Sequence, residues 1–541
     1  MYSLIRFRSL VWLMWLLPTL GACQPTANAP QPPTAAARLA TGATFLPPAA
    51  AATAPPVATV ALPATPSPTP SITPTNTPTP QPLTIAFPAV WSEAVAAAAA
   101  QAAAQMPQRA WLLQADNPAA DIRLTADDQV QGLPIGREPL ALAVPFTHAW
   151  SDKTWAEAQG LHLPECAVAA AGDPCWLPWR DLRPPLKAVR LDGRLPFAAE
   201  YPAQRQWSLI GNEPDAMALL AAHLTPRLAS WLAPTPLVSL AAVGDLMLDR
   251  SLGYRLTLGD LDVPFISVLA ELQTADLTIG NLESSLGDIG EPAAKSYPFQ
   301  APPVAAVSLA RAGFDVVSLA NNHAMDYGAA ALQQGIGLLQ AQGIGVVGAG
   351  DNRATAHAPL ILSCHGLRLA FLGYVNVPVE WNGFDTRSWA ATDNTPGLAW
   401  GEPAVIAADV TAARQQADLV IVMLHSGYEY QVQPSEPQRA AAQAAIQAGA
   451  QLVIGHHAHV LQGVQFLPAG VIAYGLGNFA FEIDGPPETV ILRVWLDGQG
   501  VKMLEFVPAI VQFGGAPRLA TPEEAQTIRQ QLYTLTNQLN P

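Results

Sequence analysis

The sequence predicts an α/β fold, and three observations carry that reading. Short apolar runs rich in Val, Ile and Leu alternate with helix-spaced segments from residue 237 onward. Each run has the length of a strand, and the alternation packs helices against a sheet. Ligand-type side chains stand directly after five of the runs. A strand over residues 237–243 follows the break Pro234-Thr235-Pro236, and further strands are predicted at 277–279, 316–319, 345–347, 369–372, 419–424 and 452–454. Helical spacing predicts helices at 301–312, 329–341 and 437–448. Residues 490–496 and 503–508 read as late antiparallel strands, and 522–539 as a closing helix.

A smaller α/β domain is predicted over residues 83–233, with strands at 83–87, 122–124 and 140–144 and an Ala-rich helix at 92–105. Trp155, Trp176 and Trp179 are placed in connecting segments and the Trp residues of this region in its core. The stretch from Glu138-Pro139-Leu140 to Pro145-Phe146, with Trp155, Leu191-Asp192-Gly193 and Tyr201-Pro202, loosely resembles part of a periplasmic solute-binding fold of the phosphate-binding type. No group of Ser, Thr and Arg is assignable to a ligand there, so a purely structural domain is equally open.

Composition sets outer limits. The chain has 541 residues, 27 Lys and Arg against 42 Asp and Glu, and a net charge of −15. A body this acidic lacks the basic footprint that nucleic acid requires. At the N-terminus, Arg6 and Arg8 precede an apolar run at 10–20 and then Leu20-Gly21-Ala22-Cys23. A short basic region, an apolar core and small residues before a cut describe a secretory signal, here residues 1–22. The cut before Cys23 resembles the lipobox of bacterial lipoproteins, which implies acylation of Cys23 and an extracytoplasmic protein anchored by lipid to the bacterial cell membrane. Residues 23–82 are Pro-, Ala- and Thr-rich and read as a disordered, extended tether. Cys166 and Cys175, nine apart, are a candidate disulfide in an oxidising compartment, and Cys364 reads as a buried free thiol.

The chemistry is concentrated at strand ends over residues 237–541: Gly244-Asp245, Gly280-Asn281-Leu282-Glu283, Asn321-Asn322-His323, His425-Ser426-Gly427-Tyr428-Glu429 and Gly455-His456-His457-Ala458-His459. The carboxyl ends of strands are where α/β sheets build sites. Carboxylates, amide oxygens and imidazoles without thiolate suit one or two divalent ions, Mn, Fe, Zn or Mg. Taken alone, Gly-Asp is a strand-ending turn and a lone Lys a solvated surface group. Three histidines within four residues, out of ten in the chain, point to a site.

With Lys295-Ser296-Tyr297-Pro298-Phe299, Asn322-His323-Ala324-Met325-Asp326-Tyr327-Gly328 and Tyr474-Gly475-Leu476-Gly477-Asn478-Phe479, these motifs occur in an order that resembles the calcineurin-like metallophosphoesterases. They resemble more closely the CapA branch, which accompanies synthesis of capsular poly-γ-glutamate. The resemblance implies a layered αββα domain. It makes Asp245, Glu283, Asn322, His425, His457 and His459 metal ligands, with Glu283 in the bridging position. Asp245 and His323 become catalytic groups, His323 as acid or charge stabiliser. His456 could replace a neighbouring ligand or touch substrate. Lys295, Glu429 and Asn478 are candidate substrate contacts, each with a bland alternative: solvated surface, orienting partner of a ligand, and turn former. The phosphoesterases carry a histidine where Met247 stands, and a thioether does not replace imidazole on a hard ion.

Two functions follow from the resemblance. One is a metal-dependent hydrolase or transferase using metal-activated water on an anionic polymer such as poly-γ-glutamate, at a γ-glutamyl amide or a phosphoester. The other is a non-catalytic polymer-binding or export component of the polyglutamate synthesis machinery.

Overall fold

A computed structural model describes residues 23–25, 81–126, 131–170, 172–232, 237–482 and 485–541. The expected signal peptide and almost all of the expected tether lie outside the described residues. Two large sheets form the body beyond residue 237. The first runs Gly345–Val347, Val316–Ser318, Leu277–Leu282, Val238–Leu246, Glu488–Asp497, Gly500–Val511 and Pro517–Leu519, with Asn478–Ala480 also beside Val238–Leu246. The second runs Gln24–Pro25, Leu360–Cys364, Leu367–Asn376, Leu419–Ser426, Leu452–His456, Gly470–Ala473 and Val464–Leu467.

The sheets face each other: Leu240, Ala242 and Ile279 of the first pack in one buried cluster with Phe371, Ile421 and Ile454 of the second. Helices Ala305–Ala312 and Gly328–Ala341 cover the outer face of the first through Leu309, Leu332 and Leu339. Helices Pro403–Ala413 and Glu436–Gln447 cover the second through Ile406, Val410, Ala441 and Ala445. The result is the layered helix–sheet–sheet–helix arrangement. Its central strands are buried on both faces, which is why they read as unbroken apolar runs.

Parallel pairing brings the polar strand ends to one edge. Asp245 lies opposite Asn281, Asn281 opposite Ser318, and His425 opposite His456. Close backbone contacts fix this edge. A Cβ on Gly244 would sit 1.9 Å from the Gly477 carbonyl oxygen, and one on Gly455 2.1 Å from that of Tyr474. Only glycine fits where two chains approach so closely.

The N-terminal domain is a separate mixed sheet, ordered Trp111–Ala115, Leu83–Phe87, Ile122–Thr125, Gln204–Gly211, Leu133–Pro145, Leu186–Leu191 and Asp152–Lys153. Ser92–Gln105 and a second helix not anticipated from sequence, Pro214–Leu232, pack on it through Val95, Ala98, Leu220 and Leu224. Trp155 begins the helix Trp155–Gly160 and Trp176 lies in the strand Cys175–Pro178, not in connections. Trp91, Trp179 and Trp207 are core, while Trp231 is 41% exposed. The two domains share a seam in which Trp179 and Leu182 pack against Trp495 and Met503.

Cys166 and Cys175 form a disulfide, as expected. Cys364 differs from expectation: it is buried but bonded to Cys23, while Gln24–Pro25 lies antiparallel to Leu360–Cys364. The run around Cys364 is an edge strand, so the segment after Cys23 pairs with it and brings the sulfurs together. A sulfur in a disulfide cannot carry an acyl chain; this bond and acylation of Cys23 are mutually exclusive.

Candidate metal centre

The strand ends deliver their side chains into one cluster, buried except for Glu429 at its outer side. Glu283, His425 and His457 offer ligand atoms within 4.8 Å of one another, and so do Asp245, Glu283 and His459, and Glu429, His457 and His459. The Asn281 amide donates to Asp245 Oδ1 at 2.9 Å, and the His457 backbone N–H donates to Asp245 Oδ2 at 3.1 Å. Asn322 Oδ1 lies 2.8 Å from His425 Nε2. Glu283 Oε1 lies 3.4 Å from His425 Nε2 and 3.7 Å from His459 Nε2.

The electrostatics are those of a site built around a cation. Burial pushes the Asp245 carboxyl up to about 7. Burial first, and the Asp245 charge second, raise Glu283 well above the usual carboxylate range. Burial and neighbouring imidazoles hold His425 and His457 well below the ordinary histidine range, which keeps them in the neutral, ligating form. Both Glu283 oxygens and His457 Nδ1 are buried without a hydrogen-bond partner. A carboxylate left bare in the interior is costly unless a charge meets it. A divalent ion fits that need and the oxygen–nitrogen donor set. His457 and His459 hold φ of +88° and +54°, a left-handed backbone that non-glycine residues adopt at a cost and that is concentrated at functional sites.

Of the residues picked from sequence, Asp245, Glu283, Asn322, His425, His457 and His459 come together. His456 does not: it is in none of the groups of ligand atoms that lie within 4.8 Å of one another, and its Nε2 donates to the Val243 carbonyl at 3.1 Å. Asn478 accepts from His459 Nδ1 at 2.8 Å and so orients a ligand. Glu429 lines the cavity beside His457. Lys295 also lines it, but its side chain is 1% exposed and its ammonium is engaged by Asp326 at 3.0 Å and Glu380 at 3.2 Å; it is not free to hold an anion.

Sequence reasoning assigned no role to Asp326, whose Oδ2 lies 2.7 Å from His323 Nδ1 and leaves Nε2 as the ring nitrogen available to substrate. The i, i+3 spacing of His323 and Asp326 was the available signal. Asn281 and Asn321, which chain their amides from Asp245 to the His323 backbone, were also unassigned. Met247, where the phosphoesterases place a histidine, is fully buried against Phe299 and Phe481.

This is the architecture of a metallophosphoesterase-like protein: a two-sheet sandwich with carboxylate, amide and imidazole ligands at its strand ends. Residues 239–483 match the family model described as "Bacterial capsule synthesis protein PGA_cap". The chain is 30% identical over 305 residues to the capsule biosynthesis protein CapA of Bacillus anthracis, covering 54% of this chain and 72% of that protein. It is 31% identical over 261 residues to the PGA biosynthesis protein CapA of Bacillus subtilis, covering 48% and 66%. A probable polyglutamine synthesis accessory protein of Mycobacterium tuberculosis is 29% identical over 235 residues, covering 41% and 60%. The chain belongs to the CapA family, and its role lies in capsule synthesis. An ABC-type phosphate transport receptor from Vibrio cholerae covers 28% of this chain and 98% of its own, at 10% identity and a TM-score of 0.21. That score carries no argument about residues 83–233.

Proposed function

We propose that the protein is an extracytoplasmic, metal-dependent hydrolase or transferase acting on an anionic capsule polymer of the poly-γ-glutamate type or on its linkage. One observation supports this above others: a fully buried Glu283 carboxylate without a hydrogen-bond donor, inside a shell of ligand-type side chains that opens to a cavity of about 330 Å³. Asp245, Glu283, Asn322, His425, His457 and His459 would hold the ion. A divalent ion there supplies Lewis-acid polarisation and makes water acidic enough to attack near neutral pH. His323, oriented by Asp326, holds or donates a proton at Nε2. Asn478 fixes the ring of His459.

Elemental analysis of the full-length chain, with Asp245→Ala beside it, tests the reading. One or two divalent ions per chain, lost in the variant together with turnover of γ-glutamyl amides or phosphoesters, is the expected result. No metal after Mn²⁺ and Zn²⁺ are supplied would overturn it.

Export is supported by Arg6, Arg8, the apolar run and Leu20-Gly21-Ala22-Cys23. Acylation of Cys23 would anchor the chain to the membrane and leave Cys364 a free thiol. Mass spectrometry of the peptide containing Cys23, from protein extracted in detergent without reductant, separates acylation from the disulfide.

A second reading rests on Met247. The apolar cluster it forms with Phe299 and Phe481 replaces a ligand position of the phosphoesterases. A site so altered could grip polymer carboxylates through the ion without cleaving anything. Polymer retained in ligand variants but changed in chain length favours the enzyme; unchanged length with lost retention favours this second role.

A further inference from the structure

One member of the cluster still lacks a role. Glu429 stands in the loop after Leu419–Ser426, on the cavity side of the histidine run, and makes no hydrogen bond or ion pair among the described residues. The loop that carries it is pinned. The Tyr430 backbone N–H donates to the Ala458 carbonyl at 2.7 Å, which ties the loop to the residue between His457 and His459. Gly427 turns the chain at a φ of +107°, where a Cβ would lie 2.7 Å from Gln438 Oε1. Backbone on either side therefore holds Glu429 beside the two histidines.

A carboxylate next to an imidazole has two ordinary roles. It accepts the ring N–H and orients the ring, or it shares an ion with the ring nitrogen. The first role is not filled here. His459 Nδ1 bonds to Asn478 Oδ1 at 2.8 Å, and the buried His457 Nδ1 has no hydrogen-bond partner. Yet a Glu429 oxygen and one ring nitrogen each of His457 and His459 all lie within 4.8 Å of one another. Donors about 2.1 Å from a shared ion stand roughly 3–4 Å from each other, close together without bonding among themselves.

Met247 gives a reason for a donor to come from this side. It stands where the phosphoesterases carry a histidine, and its side chain is committed to the apolar cluster with Phe299 and Phe481. Two acids line the cavity at the metal centre, and only one of them is paired: Glu380 meets Lys295 at 3.2 Å, while Glu429 has no cation.

We propose that Glu429 is a metal ligand. With His457 and His459 it holds a divalent ion at the cavity side of the cluster, and it supplies from a loop the donor that Met247 withholds at the first strand end. This rests on the preceding reading of the site as a metal centre and deepens it. Both histidines also belong to the inner groups with Glu283, so Glu429 extends the same centre outward. It is the exposed member of its group, so the ion it holds faces the cavity, where a carboxylate or amide oxygen of a polymer would meet it.

Elemental analysis and chelator competition with Zn²⁺ and Mn²⁺ on the full-length chain test the assignment, in the wild type, Glu429→Gln, Glu429→His and Glu380→Gln. Glu429→Gln should lose one ion per chain or at least about tenfold in metal affinity. Glu380→Gln removes the same charge from the same cavity and should stay within about threefold of the wild type. Glu429→His lacks the charge but keeps a donor, and should bind at least about tenfold more tightly than Glu429→Gln. With Co²⁺ as probe, the visible absorption band should shift in both Glu429 variants and not in Glu380→Gln. Unchanged metal content and affinity in Glu429→Gln, in a wild type that binds metal, would overturn this assignment alone. Equal losses in Glu429→Gln and Glu380→Gln would also overturn it, reducing Glu429 to a nearby charge. A wild type that binds no metal would overturn it together with the preceding reading.

Discussion

At the seam between the domains the buried Lys502 ammonium donates to the Arg180 carbonyl at 2.8 Å, faces Asp497 at 3.9 Å and lies 4.8 Å from the Trp179 ring centre. Asp497 in turn has Arg183 at 2.9 Å. At the strand-end cluster Glu283 is just as buried, yet neither oxygen receives a hydrogen bond. In the seam the protein itself meets part of the cost of taking charge out of water, and the rest appears as an amine pushed down to about 7. At the cluster it leaves that cost open for a guest to meet. Buried charge alone therefore does not mark a site; buried charge without a partner does.

The sharpest way to break this comparison is to remove the bare carboxylate. Glu283→Gln should lower metal affinity by at least about 100-fold, read by elemental analysis and chelator competition, while the metal-free protein keeps a melting temperature near that of the wild type, because the Glu283 carboxyl held well above its usual range is already uncharged there. A melting temperature that falls instead would place Glu283 among the satisfied charges. Next comes the seam's disulfide. Replacing Cys166 and Cys175 by Ser releases a short loop and should cost about 2–3 kcal/mol in denaturant unfolding, with metal content unchanged. Asp326→Asn should follow: whatever turnover the wild type shows drops about 10- to 100-fold while metal content stays, because the His323 ring loses the partner that orients it.

The smallest effect belongs to Lys502. Burial pushes its amine down to about 7, so between there and its ordinary range the unfolded chain binds the extra proton. Stability should therefore rise with pH across that window, by at most ~1.4 kcal/mol per pH unit, and Lys502→Met should remove that slope. Since an apolar side chain of similar length fills the space, its stability near pH 7 should stay within about 1 kcal/mol of wild type. A large loss would show that the seam depends on the charge itself.

The sandwich was legible because its central strands are continuous apolar runs and its helices keep their spacing. What sequence misplaced were the ends: Val238–Leu246 and Leu452–His456 run on into the polar residues that apolar periodicity treats as stops. The helix Pro214–Leu232 went unread, with Pro226 inside it. Within the site, ligand types at strand ends were enough to find Asp245, Glu283, His425 and His457. Partnership was not readable. Lys295 and His456 looked as available as their neighbours until Asp326, Glu380 and the Val243 carbonyl were seen to occupy them. A residue's type states what it can bind, and only its surroundings state whether it already has.

The close packing at Gly244 and Gly455 bears on how such a protein can change. With neighbouring carbonyls where a side chain would have to go, the floor beneath Asp245 and His456 admits almost no variation, and a mutation there would push each strand away from the segment beside it in its own sheet before it adjusted any ligand. New specificity has to arrive from above, through the segments around Trp381 and Tyr428, whose exposed side chains can be exchanged without disturbing the sandwich. The molecule is thus divided into a foundation that is fixed by steric exclusion and a rim that is free to diversify.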